Sequence, residues 1–411
     1  MKTIYLHIGM PKTGTTFLQK SLFDNSDVLK KYGYDYPDMG IEFTNVTKLR
    51  NAHFLASPLA YQLEVDKIDT LDSVYEEGLA KIKEIIQKTD NIILSDEMIW
   101  VWGGEYIERF KKDMDECNCV IKVIVYLRRQ DTFIQSYWSQ LVKVAMTKRA
   151  FSAFTTDEKT DYYRLHFDKG MEYFANIFGE ENMIVRVYEK GQFGGRYSNL
   201  LSDFLETVGL GEIDENKEFV FNVSKKNKSD IVNFSLNGIY THTKRLLNRN
   251  PYFCDKSNFS IYRLYEMSLE DDNPKNIAAE NLMTYENKLE YLKKFEKGNK
   301  AVADKYLGGN GGSLFKAEIV NNDNVYAKYT GVEVIDVCSE FIKREHEDFL
   351  AKCEELKDMK SINSALQKEV TMLNNQVKKQ QSTIDWMSAS LPKKVSRKVK
   401  RMFSSNKKKS K

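Results

Sequence analysis

The sequence predicts an α/β protein: a parallel sheet flanked by helices, followed by a long C-terminal helix and a basic tail. Three observations carry this. Four short apolar runs rich in β-branched residues (Ile4–Ile8, Asn91–Leu94, Val120–Leu127 and Met183–Tyr188) alternate with stretches of helical periodicity, the pattern of βα units in a parallel sheet. From Ile342 to Met387 the apolar spacing changes to heptads, as in a coiled coil. Residues 391–411 hold ten Lys or Arg and no acid. At 411 residues the chain is long enough for two or three units, and 42% apolar content is ample for a core.

The first run is followed at once by Gly9, Pro11, Lys12, Thr13, Gly14, Thr15 and Thr16, and a helical pattern starts at Phe17 and Leu18. Strand, tight glycine loop and helix N-terminus in that order aim backbone N–H groups and the helix dipole at one spot, an anion site. Lys12 adds a full charge and the threonines add hydroxyl donors. The nucleotide-triphosphate loop G-x-x-x-x-G-K-[ST] has lysine after its second glycine. Here Gly9 and Gly14 keep that spacing, but Thr15 follows Gly14 and the lysine comes earlier.

Later elements add polar groups at strand ends, where ligands of parallel sheets sit. Asp96 and Glu97 end the second run. Arg128 and Arg129 end the third, and the helix after it carries Phe133, Ile134, Tyr137, Trp138, Leu141 and Val142 on one face, with Ser136 eight residues beyond Arg128. A guanidinium makes bidentate, charge-assisted bonds to phosphate, and a hydroxyl adds a donor.

The loop PKTGTT at the end of a first strand, with Arg128 and Ser136, resembles the sulfotransferases that use 3′-phosphoadenosine-5′-phosphosulfate (PAPS). The run YLRRQDTFIQSYW and the later VRVYEK look like the bacterial glycan-sulfating branch. The resemblance spans roughly residues 1–318. It implies a P-loop-like fold, with Pro11, Lys12, Thr13, Gly14, Thr15 and Thr16 holding the 5′-phosphosulfate and Arg128 and Ser136 the 3′-phosphate of PAPS. It also implies a carbohydrate acceptor on a surface glycan or its lipid-linked precursor, and no metal. Lys12 would stabilise charge on the bridging oxygen. A base should take the acceptor proton; the favoured candidate is His53, one of five histidines, and Glu97 is the alternative. Trp100, Trp102 and Trp138 could stack on sugar rings, with core packing the favoured role for each.

Two other readings stand beside this one. The segment IILSDE also looks like the magnesium-holding strand end of P-loop kinases, which makes a Mg-dependent phosphotransferase the enzymatic alternative. A coiled-coil scaffold that keeps an inactive sulfotransferase domain is the non-enzymatic one.

The resulting organisation is a catalytic domain over 1–320, with 225–320 as its helical, acceptor-side part, a coiled coil over 338–388, and a basic amphipathic tail over 389–411. In the coil, Phe349, Leu356, Asn363, Val370, Val377 and Ile384 take position a, and Met359, Leu366, Leu373, Gln380 and Met387 take position d. A polar Asn at position a favours dimers, so a homodimer is expected. In the tail, Leu391, Val395, Val399, Met402 and Phe403 fall on one helical face, which suits an anionic membrane surface. Net charge is +3, so residues 1–390 carry −7; an acidic body with no recognisable binding module argues against nucleic acid. Five cysteines without pairing or zinc spacing suggest free thiols in a reducing compartment. With no signal-peptide pattern and no run of membrane-spanning length, a cytoplasmic protein, peripheral at the inner membrane face through its tail, is expected.

Overall fold

The computed structural model describes residues 2–43, 46–56, 71–155, 164–221, 236, 238–254, 260–278, 282–308, 312–326 and 329–390. Two compact units divide the chain, Met1–Val337 and Cys338–Lys411.

The first unit is built on a five-stranded, all-parallel sheet: β1 (Lys2–His7), β2 (Tyr34–Asp35), β3 (Asn91–Ser95), β4 (Cys119–Leu127) and β5 (Met183–Val187). The spatial order is β2-β3-β1-β4-β5. The four apolar runs of the sequence all become strands, and the expected α/β architecture is what forms. The run Ile4–Ile8 is shifted: the strand starts at Lys2 and stops at His7, short of Gly9 with its left-handed backbone (φ 102°). The two-residue β2 pairs Tyr34 with Asn91 and Asp35 with Ile92; it is too short and too polar to stand out in the sequence.

Successive strand residues face opposite layers. Ile4, Leu6, Ile92, Leu94, Val123 and Val125 point into the larger core, with Trp100, Phe110, Phe133, Trp138 and Phe174. Tyr5, Ile93, Ile124 and Tyr126 point into a smaller one, with Leu18, Leu22, Leu200 and Phe204. Helix α1 (Thr15–Asp24), which follows β1, packs in the smaller core, whereas α2 (Gln130–Lys143), which follows β4, packs in the larger one. Adjacent strands whose connections leave to opposite faces open a crevice at their C-terminal ends. That crevice lies between β1 and β4.

The described part of 225–320 is helical, with segments Gly238–Leu247, Ser260–Glu270, Pro274–Ile277, Tyr285–Lys293 and Glu296–Tyr306. Of these, Gly238–Leu247 and Tyr285–Lys293 pack on α2. Asn248 donates to the carbonyl oxygens of Val142 (2.8 Å) and Thr147 (3.1 Å), and Gln130 donates to Asn299 Oδ1 at 2.8 Å. Trp100 and Trp138 are wholly buried, so neither can stack on a sugar; both are core residues.

A single helix of 60 residues runs from Gly331 to Ser390, beginning upstream of the heptad stretch. The basic tail, residues 391–411, lies outside the described residues. All five cysteines are free thiols. No helix among the described residues is long and apolar enough to cross a membrane.

Candidate functional site

The glycine loop is shaped by close approach. Gly9 passes so near the end of β3 that a Cβ there would lie 2.8 Å from Glu97 Cα, and its positive φ compounds the demand for glycine. Gly14 (φ 76°) leads into α1, and a Cβ on it would lie 2.7 Å from Leu200. Between them Lys12 itself takes a left-handed backbone (φ 65°). Thr13 is buried and donates its hydroxyl proton to the Met10 carbonyl at 2.6 Å. Its side chain therefore braces the loop. The N-terminus of α1 has no side-chain cap and no acid in its first turn. The N–H groups around Thr15 and Thr16 thus keep the unpaired, positive character of a helix start.

Arg128, at the end of β4, locks onto this loop. Its Nη1 donates to the Lys12 carbonyl at 2.7 Å, its Nε donates to Thr132 Oγ1 at 3.1 Å, and the guanidinium lies 5.8 Å from the Tyr188 ring centre. Its neighbour Arg129 does something else. It makes a two-pronged ion pair with Asp131 (2.8 and 3.1 Å) and donates to the Ala317 carbonyl at 2.9 Å. Glu189 accepts the N–H groups of Lys316 and Ala317, both at 2.9 Å. The two arginines are therefore divided between the crevice and the frame. Ser136, further along α2, is half-buried, and its hydroxyl makes no hydrogen bond among the described residues.

Burial lowers the Lys12 ammonium to about 8, helped by the positive charges of Lys143 and Arg128 and opposed by Glu97. Lys143, on the last turn of α2, is itself pushed down by burial. Three cations crowd one crevice, which makes it receptive to a multiply charged anion. The sequence offers no cue to Lys143: it sits at the end of the helix without a motif.

The second half of the site is at the end of β3. The buried Asp96 carboxylate accepts from Arg50 Nη2 (2.7 Å) and Nε (3.1 Å), from the Met98 N–H (2.7 Å) and from His53 Nδ1 (2.7 Å). Burial alone would raise the Asp96 carboxyl; the Arg50 charge and the hydrogen bonds from His53 and Arg50 outweigh it and hold it well below the usual carboxylate range. The carboxylate thereby fixes the proton of His53 on Nδ1. With Nδ1–H committed to Asp96, the Arg50 Nη2 contact to Nδ1 at 3.1 Å is a close approach of two donors, not a bond. A histidine held through Nδ1 by a carboxylate has the arrangement of a histidine base oriented by its partner. Phe43 packs edge-on against the imidazole, ring centres 4.6 Å apart.

Asn51 places this histidine. Its Oδ1 accepts the Ser95 N–H at 2.7 Å and its Nδ2 donates to the Ile93 carbonyl at 3.0 Å, stapling the segment to β3. His53 then opens a short 3₁₀ turn, His53–Leu55. Glu97, the other candidate base, is in the same network: Gln19 of α1 donates to it at 2.9 Å, and Arg50 Nε lies 3.7 Å away. Lys12 is tied to Arg128, Glu97 and His53 meet through Arg50 and Asp96, and the charge of Glu97 acts on Lys12; Arg50, Asn51 and Gln19 are members that motif reasoning did not single out. His7 is buried behind them, bonded to Ser95 Oγ at 2.8 Å and lowered to about 4 by burial despite Asp96. Among the described residues no group of three or more His, Cys, Asp or Glu side chains is placed to hold a metal ion.

No protein-family model matches this chain. It is similar to an uncharacterized protein of Archaeoglobus fulgidus, 25% identical over 217 residues. The matched region is 53% of this chain and 54% of that protein, so the likeness spans about half of each.

Proposed function

We propose that this protein is a sulfotransferase that moves a sulfuryl group from PAPS to a hydroxyl of a carbohydrate acceptor. The observation that carries the reading is the join between the two strand ends: the lysine-bearing glycine loop after β1 is held at its Lys12 carbonyl by Arg128 after β4, 2.7 Å away. An anion-binding loop beside a second cationic element fits a donor that carries phosphates at both its 5′ and 3′ positions. Lys12, Gly14, Thr15 and Thr16 would receive the 5′-phosphosulfate. Arg128 and the unoccupied hydroxyl of Ser136 would receive the 3′-phosphate. Pro11 and Thr13 shape the loop.

In the proposed reaction the acceptor oxygen forms a bond to sulfur while the bond from sulfur to the 5′-phosphate oxygen breaks. The electron pair stays on that oxygen, and the Lys12 ammonium stabilises it, a contribution of about 10²–10³ in rate for one well-placed donor. The acceptor proton goes to His53 Nε2, worth about 10²–10⁴, while Asp96 holds Nδ1–H and balances the imidazolium that forms. Glu97, tied to Gln19 and Arg50, shapes the crevice in this scheme and remains the second candidate for the base.

The Asp96 bonds also bear on the Mg-dependent phosphotransferase reading. A carboxylate that holds magnesium needs free lone pairs facing the phosphates, whereas Asp96 spends its oxygens on Arg50, His53 and Met98. A surface glycan or lipid-linked precursor as acceptor, and a cytoplasmic site near the inner membrane face, belong to the same proposal; the tail that would hold the membrane is residues 391–411. Isothermal titration tests the core of it. Adenosine 3′,5′-bisphosphate should bind without magnesium, and better than 5′-AMP. Binding of ATP only with magnesium, and none of the bisphosphate, would replace it by the phosphotransferase reading; no binding of either would leave the scaffold.

A further inference from the structure

The helix Gly331–Ser390 carries an apolar stripe turned to solvent. Six side chains at successive a and d positions, Leu356, Met359, Leu366, Val370, Leu373 and Val377, are between 52% and 62% exposed. From Leu356 to Val377 the stripe is about 32 Å long at 1.5 Å per residue, and an exposed apolar seam of that length marks an interaction surface.

The seam contains its own description of the partner. Its two polar layers, Asn363 at a and Gln380 at d, are matched when the chain meets a second copy of itself, amide against amide. Val370 and Val377 at a with Leu366 and Leu373 at d is the combination that suits two parallel strands. Glu355 at position g would face Lys360 at position e of the second copy, twice by symmetry. Reversed pairing also aligns apolar layers, Leu356 with Met387 and Leu366 with Val377. It sets Lys360 against Gln381 and Glu369 against Gln376, so the charges lose their partners. Upstream, Glu345 and Lys352 occupy d positions, where a symmetric parallel pair would bring like charges together. Pairing therefore starts after Lys352.

We propose that two copies of this chain pair in parallel and in register through residues 356–387. This stands independently of the sulfotransferase reading. The test uses the full chain with Cys338 and Cys353 changed to Ser, so that no native thiol lies along the helix. Leu366→Cys in that background, oxidised at micromolar concentration, should form a covalent dimer, and the same background without Leu366→Cys should not. Charge exchange gives a second measurement by sedimentation equilibrium. Glu355→Lys should weaken association about two- to tenfold, and adding Lys360→Glu should restore it. A chain that sediments as a monomer at ten micromolar overturns the proposal. So does cross-linking that needs a mixture of Leu366→Cys and Val377→Cys chains, which would mean reversed strands.

Discussion

Replacing Asp96 by Asn tests the centre of the site, because four donors converge on that one carboxylate. Asparagine keeps the shape but removes the charge and turns one acceptor into a donor. The Arg50 guanidinium, pressed up above its usual range by Asp96 and Glu97 against the effect of burial, would keep only Glu97 at 3.7 Å. Removing one partner of a buried ion pair costs about 3–5 kcal/mol. Against a typical total of about 5–15 kcal/mol the protein should remain folded, with its urea midpoint clearly lowered. The pH dependence has a definite sign. Asp96 is depressed in the folded state, so its contribution is complete above the ordinary carboxylate value of about 3.9 and is lost as pH falls through the lower folded value. The difference between wild type and Asp96→Asn should therefore be constant from neutral pH down to about 4 and shrink only below that. Nitrogen NMR reads the other consequence: His53 should be the Nδ1–H tautomer in the wild type and lose that preference in the variant. If Asp96→Asn costs under about 1 kcal/mol and leaves the tautomer unchanged, the carboxylate neither holds Arg50 nor orients His53.

Other substitutions separate the remaining roles. Arg128→Ala should weaken adenosine 3′,5′-bisphosphate about ten- to hundredfold, the loss of about 1.5–3 kcal/mol in charge-assisted bonding, and weaken 5′-AMP less; equal losses in titration would take Arg128 away from the 3′-phosphate. Affinity for the bisphosphate should fall as pH rises past about 8, where Lys12 deprotonates, and Lys12→Met should bind more weakly with that dependence removed. His53→Ala should depress turnover strongly with ligand affinity nearly intact; normal turnover there combined with an inactive Glu97→Gln would make Glu97 the base. Gly9→Ala should lower stability by at least the ~1–3 kcal/mol of a left-handed backbone, since the added methyl also meets Glu97 Cα at 2.8 Å; a wild-type urea midpoint would refute the close approach.

The sequence alone determined the elements. Strands of a buried parallel sheet must be nearly continuous apolar runs, so β1, β3, β4 and β5 were visible as such. A loop that turns from strand to helix needs glycines at fixed places, and Gly9, Lys12 and Gly14 marked it as a candidate site. Strand ends also carried Asp96, Glu97 and Arg128 where parallel-sheet ligands sit, so much of the candidate site could be named from position. Tertiary structure decided how those groups are used. Which of two adjacent arginines enters the crevice depends on Asp131 and Ala317 capturing Arg129, contacts as distant as 188 residues in sequence. The orientation of His53 depends on Asp96, 43 residues away, and on Asn51 stapling the segment to Ser95. Trp100 and Trp138, for which core packing was the favoured role, are wholly buried, and the Thr13 hydroxyl is bonded within its own loop. Local propensity and periodicity are properties of neighbours along the chain, and they fix strands, helices and turns. The partner of a side chain is fixed only when packing brings distant segments together, and there the charge and hydrogen-bond balance of a buried group selects its role.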